Sequence, residues 1–328
     1  IEVLLTPRAS TAVGTALTVA LTGVSTVGPT KCDAVKAITT CALTRKPDGM
    51  IHNGTAYLGD EVFNTNGAGQ THSRTTSPRI AAAYLARFYN DGNAADSVKV
   101  IGTKGNSAWQ VKYIDYSTGT DITAAVTGTG WTTPSLAAMG YRAVRMQVTP
   151  LSGAAGNSSF SALLKGASVA DPTKKDVVKA ITTCAPTYQP DGQIYNGIAY
   201  IGDGIYNTNG AGQTNTLSAR AGATATHNVY FYNDGNMAQK LLLKGTAGNS
   251  KWTVRYIDHT TGADITAAVT GAGWQTPTLN PRAGRRIKVL VTPGVSTTVG
   301  AALNVLLTGS STVDATKKDA VKAVTTRK

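Results

Sequence analysis

Four histidines, three cysteines and a repeated oxygen-rich loop are the residues of this 328-residue chain whose types could do chemistry. Imidazole changes charge near neutral pH, so His52, His72, His227 and His259 are the natural candidates for a general base. Such a base works only with a Ser or Cys nucleophile and an orienting carboxylate at fixed positions. The chain contains two long matching segments, and the positions that match these histidines hold Tyr195, Asn215, Tyr84 and Tyr116. No Ser, His and Asp set and no Cys and His pair therefore occurs twice, and no nucleophile elbow or phosphate-cradling glycine loop is present. The expectation is a protein that is not an enzyme and needs no cofactor.

Cys32, Cys41 and Cys184 are too few for a disulfide scaffold and odd in number. On one extended strand Cys32 and Cys41 would lie up to about 30 Å apart, beyond the ~7 Å Cα separation that a bridge spans. A bridge from Cys41 to Cys184 would join equivalent points of successive segments, so the three are candidate intermolecular thiols or else buried free ones. No His or second Cys recurs at ligand spacing, and no metal site is expected. The loops YLGDEVFNTNG and YIGDGIYNTNG set Asp60, Asn64 and Asn66, and Asp203, Asn207 and Asn209, in turns that invite a calcium reading. The spacing is not that of an EF-hand and each trio has one carboxylate, whereas side-chain bonds within Asx turns account for the composition. The same stretch carries Tyr195, Tyr200 and Tyr206, matched by His52, Tyr57 and Phe63, which suits either a sugar-stacking platform or cross-strand packing. Asn53 in NGT and Asn157 in NSS are candidate N-glycosylation sites.

The net charge of +13 comes from 31 basic and 18 acidic residues. Lys36, Lys112, Lys179, Arg255 and Lys322 are scattered singly, and only Arg285, Arg286 and Lys288, or Lys174 and Lys175, cluster. A nucleic-acid reader carries a dense basic stripe with stacking aromatics, so specific nucleic-acid binding is not expected. Attraction to acidic extracellular polysaccharide is a better match, beside the plainer role of edge charges that keep sheets from mispairing.

Any site must be positioned by the elements of a tandem repeat. TKCDAVKAITTC at 30–41 returns as TKKDVVKAITTC at 173–184 and as TKKDAVKAVTTRK at 316–328. The spacing is 143 residues both times (173 − 30 and 316 − 173), and PDGMIHNGTAYLGDEVFNTNGAGQT at 47–71 aligns ungapped with PDGQIYNGIAYIGDGIYNTNGAGQT at 190–214. A segment of that length can bury its own core. Within each repeat apolar residues alternate, as in Trp109, Val111 and Tyr113, Trp252, Val254 and Tyr256, or Ile287, Val289 and Val291. That period of two marks half-buried strands, and NDGN, TGAD and PDG supply their turns. The stretch VGTALTVALTGVSTVG at 13–28 lacks a basic leader and matches strand positions within 287–313, so it reads as strand rather than signal peptide or membrane span. The fold class expected is all-β: tandem antiparallel β-sandwiches.

The order of PDG, YxGD, YNTNGAGQT, YNDGN, GNSxW, DITAAVTGxGW and VTP, closing with TKKDAVKAVTT, resembles the tandem immunoglobulin-like (CARDB-like) repeats of large bacterial extracellular and surface proteins. The resemblance implies an immunoglobulin-like fold, export, and a spacer, adhesin or polymer role without catalytic residues. Such repeats open near PDG and close with the DAVKAVTT strand, which divides the chain into an N-terminal strand arm at 1–41 and repeats at 42–184 and 185–328. IEVLLTP at 1–7 matches VRMQVTP at 144–150 and IKVLVTP at 287–293, so the arm holds the closing strands of a repeat whose body is absent from it. Either a neighbouring protomer completes these strands, which grows a head-to-tail homopolymer, or a body upstream in a longer array does. The arm residues expected to enter a neighbouring sheet are Ile1, Val3, Leu5, Leu17, Val19 and Leu21. The function expected is that of a structural subunit of an extracellular or cell-surface fibre, with a cell-surface adhesin or carbohydrate-binding module as the alternative, and without membrane insertion.

Overall fold

Alternating apolar residues between turns rich in Gly, Asn and Asp form short strands, and the computed structural model, which describes residues 1–8 and 11–328, is almost entirely β. The chain divides into two compact units, Ile1–Ala185 and Pro186–Lys328.

The first unit runs β1 (Ala16–Val24), β2 (Cys32–Thr40), β3 (Pro47–His52), β4 (Tyr57–Leu58), β5 (Thr71–Thr76), β6 (Ala82–Asn90), β7 (Val98–Gly102), β8 (Trp109–Asp115), α1 (Thr123–Val126), β9 (Trp131–Thr132), β10 (Tyr141–Pro150), β11 (Ser159–Ser168) and β12 (Lys175–Cys184). Strands β3 to β12 form two five-stranded sheets, ordered β4-β3-β6-β10-β8 and β5-β12-β11-β7-β9. The second unit repeats them as β13 (Pro190–Tyr195), β14 (Tyr200–Ile201), β15 (Thr214–Ala219), β16 (Ala225–Asn233), β17 (Leu241–Gly245), β18 (Trp252–Asp258), α2 (Thr266–Thr270), β19 (Trp274–Gln275), β20 (Gly284–Pro293), β21 (Ala302–Ser311) and β22 (Lys318–Arg327), in sheets β14-β13-β16-β20-β18 and β15-β22-β21-β17-β19.

The inner faces follow the alternation in the sequence. Trp109, Val111 and Tyr113 of β8, Val144, Met146 and Val148 of β10 and Leu164 of β11 are buried with Ile51, Phe88 and Val178 in one core. Trp252, Val254 and Tyr256, with Ile287, Val289, Val291 and Leu307, build its counterpart. Burying one such side chain contributes about 1.5–3 kcal/mol, so each sandwich is held by its facing layers. One feature departs from an antiparallel sandwich: β5 pairs with β12, and β15 with β22, in parallel. The loop after β4 carries the chain from the edge of one sheet to the edge of the other, and β5 arrives there running the same way as β12.

Hairpin β11–β12 lies in the middle of its sheet, between β5 and β7, as β21–β22 lies between β15 and β17. The opposite layer presses on it closely. A Cβ on Gly166 would meet the Phe88 ring at 2.4 Å, and one on Gly309 would meet Phe231 at 2.7 Å, so only glycine fits beneath either ring.

Candidate functional site

Residues 16–40 form the same hairpin as 159–183 and 302–326. Ala16 pairs with Thr40, Ser159 with Thr183 and Ala302 with Thr326, and the three ladders keep that register throughout. β1 and β2 nevertheless make a two-stranded sheet on their own. Their inward row is Leu17, Val19, Leu21 and Gly23 on one strand and Asp33, Val35, Ala37 and Thr39 on the other. Leu21 is 37% exposed and Val35 64%, whereas Leu164 and Val178 are 0% exposed and Leu307 and Val321 are 1%. The equivalent face is thus sealed at its centre in both complete sandwiches and largely open in the arm.

Of the arm residues singled out by sequence, Leu17, Val19 and Leu21 share this face, with Leu17 exposed and Val19 half-buried. Ile1, Val3 and Leu5 do not form the expected strand: residues 1–8 have no regular structure, and Ile1 and Val3 are exposed. The reason is the place of their counterparts. Val144, Met146 and Val148 belong to β10, which needs β6 and β8 on either side to satisfy its backbone, and residues 1–7 have no such neighbours.

Sequence reasoning about apolar residues passed over the polar half of the face. Asp176, fully buried, accepts at Oδ2 from the Gly49 N–H (2.7 Å) and at Oδ1 from the Asn64 N–H (2.9 Å) and Gln70 Nε2 (2.9 Å). Asp319 repeats this with Gly192 N–H (2.5 Å), Asn207 N–H (2.9 Å) and Gln213 Nε2 (2.8 Å). Burial outweighs these donors at Asp319 and raises its carboxyl above the ordinary range. Thr182 meets the Tyr84 hydroxyl at 2.7 Å, and Thr325 meets Nε2 of His227 at 2.9 Å. Burial lowers His227 to about 4, so it serves there as a neutral imidazole. The signal for all of this was D-x-V-x-A-x-T, present at 33, 176 and 319.

The other sequence candidates are dispersed. Cys41 and Cys184 are buried and Cys32 is exposed. Cys41 Sγ meets the Thr11 carbonyl at 3.4 Å and Asn93 Nδ2 at 3.2 Å, and Cys184 Sγ lies in the sandwich core. In the single chain Cys41 and Cys184 are thus enclosed, and Cys32 is the thiol that faces solvent. Asn157 is exposed, and Asn53 is half-buried with Oδ1 engaged by Thr55 and Ala56. In the suspected calcium loops, Asn64 Oδ1 accepts from the Asn66 and Gly67 N–H groups and Asn207 Oδ1 from Asn209 and Gly210, so these oxygens close the turn. No group of three or more His, Cys, Asp or Glu among the described residues is arranged to hold a metal ion.

The aromatic residues do converge in the second unit. Tyr195 and Tyr200 stand 5.4 Å apart, Tyr200 and Tyr230 6.0 Å, and Tyr230 and Tyr232 3.8 Å, with Arg286 over Tyr230. Tyr195, Tyr200, Asn228, His259 and Arg286 line an open pocket of about 260 Å³. Tyr206 is apart from it, bonded to Asp234. In the first unit His52 packs on Tyr57 at 4.9 Å and Arg87 lies over Tyr57 and Tyr141, while Phe63 lies under Lys46.

No protein-family model matches the sequence, and no curated protein matches it significantly. Solved structures overlap it loosely. The C-terminal domain of the Streptococcus pyogenes antigen I/II-family protein AspA aligns over 86% of this chain and 99% of its own at 8% identity, with a TM-score of 0.26. The CupB6 tip adhesin of Pseudomonas aeruginosa aligns over 85% and 99% at 8% identity and a TM-score of 0.30. BcpA, the major pilin subunit of Bacillus cereus, aligns over 70% and 69% at 10% identity and a TM-score of 0.29. Overlaps this loose leave the role of the chain to its own residues. No helix among the described residues is long and apolar enough to cross a membrane.

Proposed function

We propose that the chain is a non-catalytic structural segment of a bacterial extracellular or surface fibre, or of a surface repeat array, in which the arm docks on a neighbouring repeat. The observation that supports this most strongly is the shared hairpin: one register and one inward row, covered in two copies and open in the third. An open face of that kind gains apolar burial and satisfied backbone groups together when a sheet accepts it. The resemblance of the sequence to CARDB-like repeats points the same way. Both sandwiches already hold a hairpin in the centre of the second sheet. A head-to-tail homopolymer therefore forms by exchange of hairpins between copies, whereas an array closes the arm with a further body. Where the acceptor is a second copy, electron microscopy and sedimentation find assemblies of the wild-type chain that a Leu21→Asp, Val35→Asp variant, with both sandwiches still folded, no longer forms; assemblies of normal length from that variant would sink docking through this hairpin.

The aromatic pocket of the second unit favours a second reading, an adhesin that stacks sugar rings on Tyr195 and Tyr200 beside the polar groups of Asn228, His259 and Arg286. Retention on polysaccharide columns that Tyr195→Ala and Tyr200→Ala abolish would support it, and unchanged elution of the wild type and both variants would dismiss it.

A further inference from the structure

The inward row of β1–β2 is complementary to one particular kind of surface, and this inference rests on the reading of the arm as a docking element. Gly166 and Gly309 are glycines because an aromatic ring of the opposite layer lies against them. Gly23, their counterpart, has no such neighbour, and a Cβ built on it would meet nothing nearer than the Asp33 carbonyl at 4.0 Å. Asp176 and Asp319 are sealed carboxylates, each held by two backbone N–H groups and one carboxamide from the body of the repeat. Asp33 is exposed, yet its Oδ1 accepts from the Ala34 N–H at 2.8 Å just as Asp319 Oδ1 accepts from Ala320 at 2.8 Å. The carboxylate is already oriented before anything covers it. Thr39 likewise stands where Thr182 meets a tyrosine hydroxyl and Thr325 a histidine ring.

We propose that the partner of the β1–β2 face is a further repeat body outside residues 1–328, recognised by insertion of the Asp33 carboxylate into a three-donor cradle that no hairpin of its own has filled. The donors are the N–H of a Gly following Pro-Asp, the first Asn N–H of an Asn-Thr-Asn-Gly turn, and the Nε2 of the Gln four residues beyond that turn's second Asn. The body also presents a phenylalanine ring over Gly23. Apolar contact through Leu17, Leu21 and Val35 supplies attraction to any greasy surface, whereas a desolvated carboxylate is tolerated only where fixed donors replace water. Asp33 thereby rejects surfaces without the cradle and sets the register, because a slip of one residue turns the carboxylate to the opposite face. The cradle needs its glycine: a Cβ on Gly49 would lie 2.9 Å from the Phe88 ring and 3.0 Å from Asp176 Oδ2.

The test supplies such a body in the position that the repeat period dictates, as a chain in which a copy of residues 42–143 precedes Ile1. The expected result is a third sandwich, with amide exchange of residues 16–40 slowed about a hundredfold or more relative to the unextended chain. Asp33→Ala in the extended chain, which strands three donors, is expected to speed that exchange about tenfold to a hundredfold while residues 42–328 stay as protected as before. Gly23→Val, whose methyls would overlap the ring, is expected to do the same without touching any polar group. If the added body folds on the hairpin and Asp33→Ala changes nothing, the carboxylate assignment fails and docking of the arm stands. If the added body leaves residues 16–40 exchanging as in the unextended chain, both fail. Self-association of the unextended chain that Asp33→Ala removes would instead place the acceptor in a second copy by hairpin exchange, and would overturn the assignment to an unfilled body.

Discussion

Leu21 and Leu164 occupy the same position of the same hairpin, paired across the ladder with Val35 and Val178 in the same register, yet Leu21 is open to solvent and Leu164 is sealed. The turn and the ladder are local properties, written into some twenty-five neighbouring residues, so β1–β2 keeps the register of its two counterparts. Burial is not local: it comes from β3, β6, β10 and β8, the sheet that lies across the core. A two-stranded hairpin without a second layer is marginal in water. The contrast shows that one hairpin register is compatible with a covered face in two copies and an open face in the third.

The largest effect that sharpens this contrast is truncation of the paired leucines. Leu164→Ala and Leu307→Ala are each expected to cost their own sandwich about 2–5 kcal/mol, while Leu21→Ala leaves both within about 0.5 kcal/mol of the wild type. Denaturant titration of the isolated chain measures this, and equal losses from all three would mean that β1–β2 is already packed.

A smaller effect follows from pH. Asp48 and Asp191 are buried in the receiving bodies; burial, reinforced at Asp48 by the charge of Asp91 and opposed at Asp191 by a hydrogen bond from Gln193, pushes each carboxyl up to about 7. The folded value lies above the unfolded one, so the stabilisation is complete below about pH 4 and is lost as the pH rises through 7. Each sandwich is expected to lose up to roughly 4 kcal/mol from this carboxyl between pH 4 and pH 8, with Asp48→Asn and Asp191→Asn flattening the slope of their own unit. The hairpin has no counterpart of these residues, and thermal melts across that range would show whether the slope belongs to the bodies alone.

The smallest effect is chemical rather than energetic. Exposed Cys32 is expected to react with a maleimide in the native chain without loss of fold, and buried Cys41 and Cys184 only after unfolding. Peptide mapping of the labelled sites checks this, and native labelling of Cys41 would show that the base of the arm opens.

Much of the fold was legible because period-two patterns and the 143-residue spacing are local statements, and Trp109, Val111 and Tyr113 face inward as their alternation requires. The parallel pairing of β5 was not legible, since THSRTT carries no mark of strand direction and the crossing loop alone decides it. The coil at Ile1–Leu5 escaped for a related reason: a sequence fit for a central strand stays irregular without flanking strands. Asp33 drew no reading from the sequence, because the meaning of its position lies in backbone donors such as Gly49 and Asn64, 127 and 112 residues from Asp176.

The most direct test of the account is amide hydrogen exchange on the protein in the material in which it natively occurs and again on the purified chain. Residues 16–40 are predicted to be as protected as 159–183 in the native material and to exchange rapidly once the chain is isolated. Rapid exchange of residues 16–40 in both states would contradict the claim that the arm hairpin is completed by a neighbouring repeat.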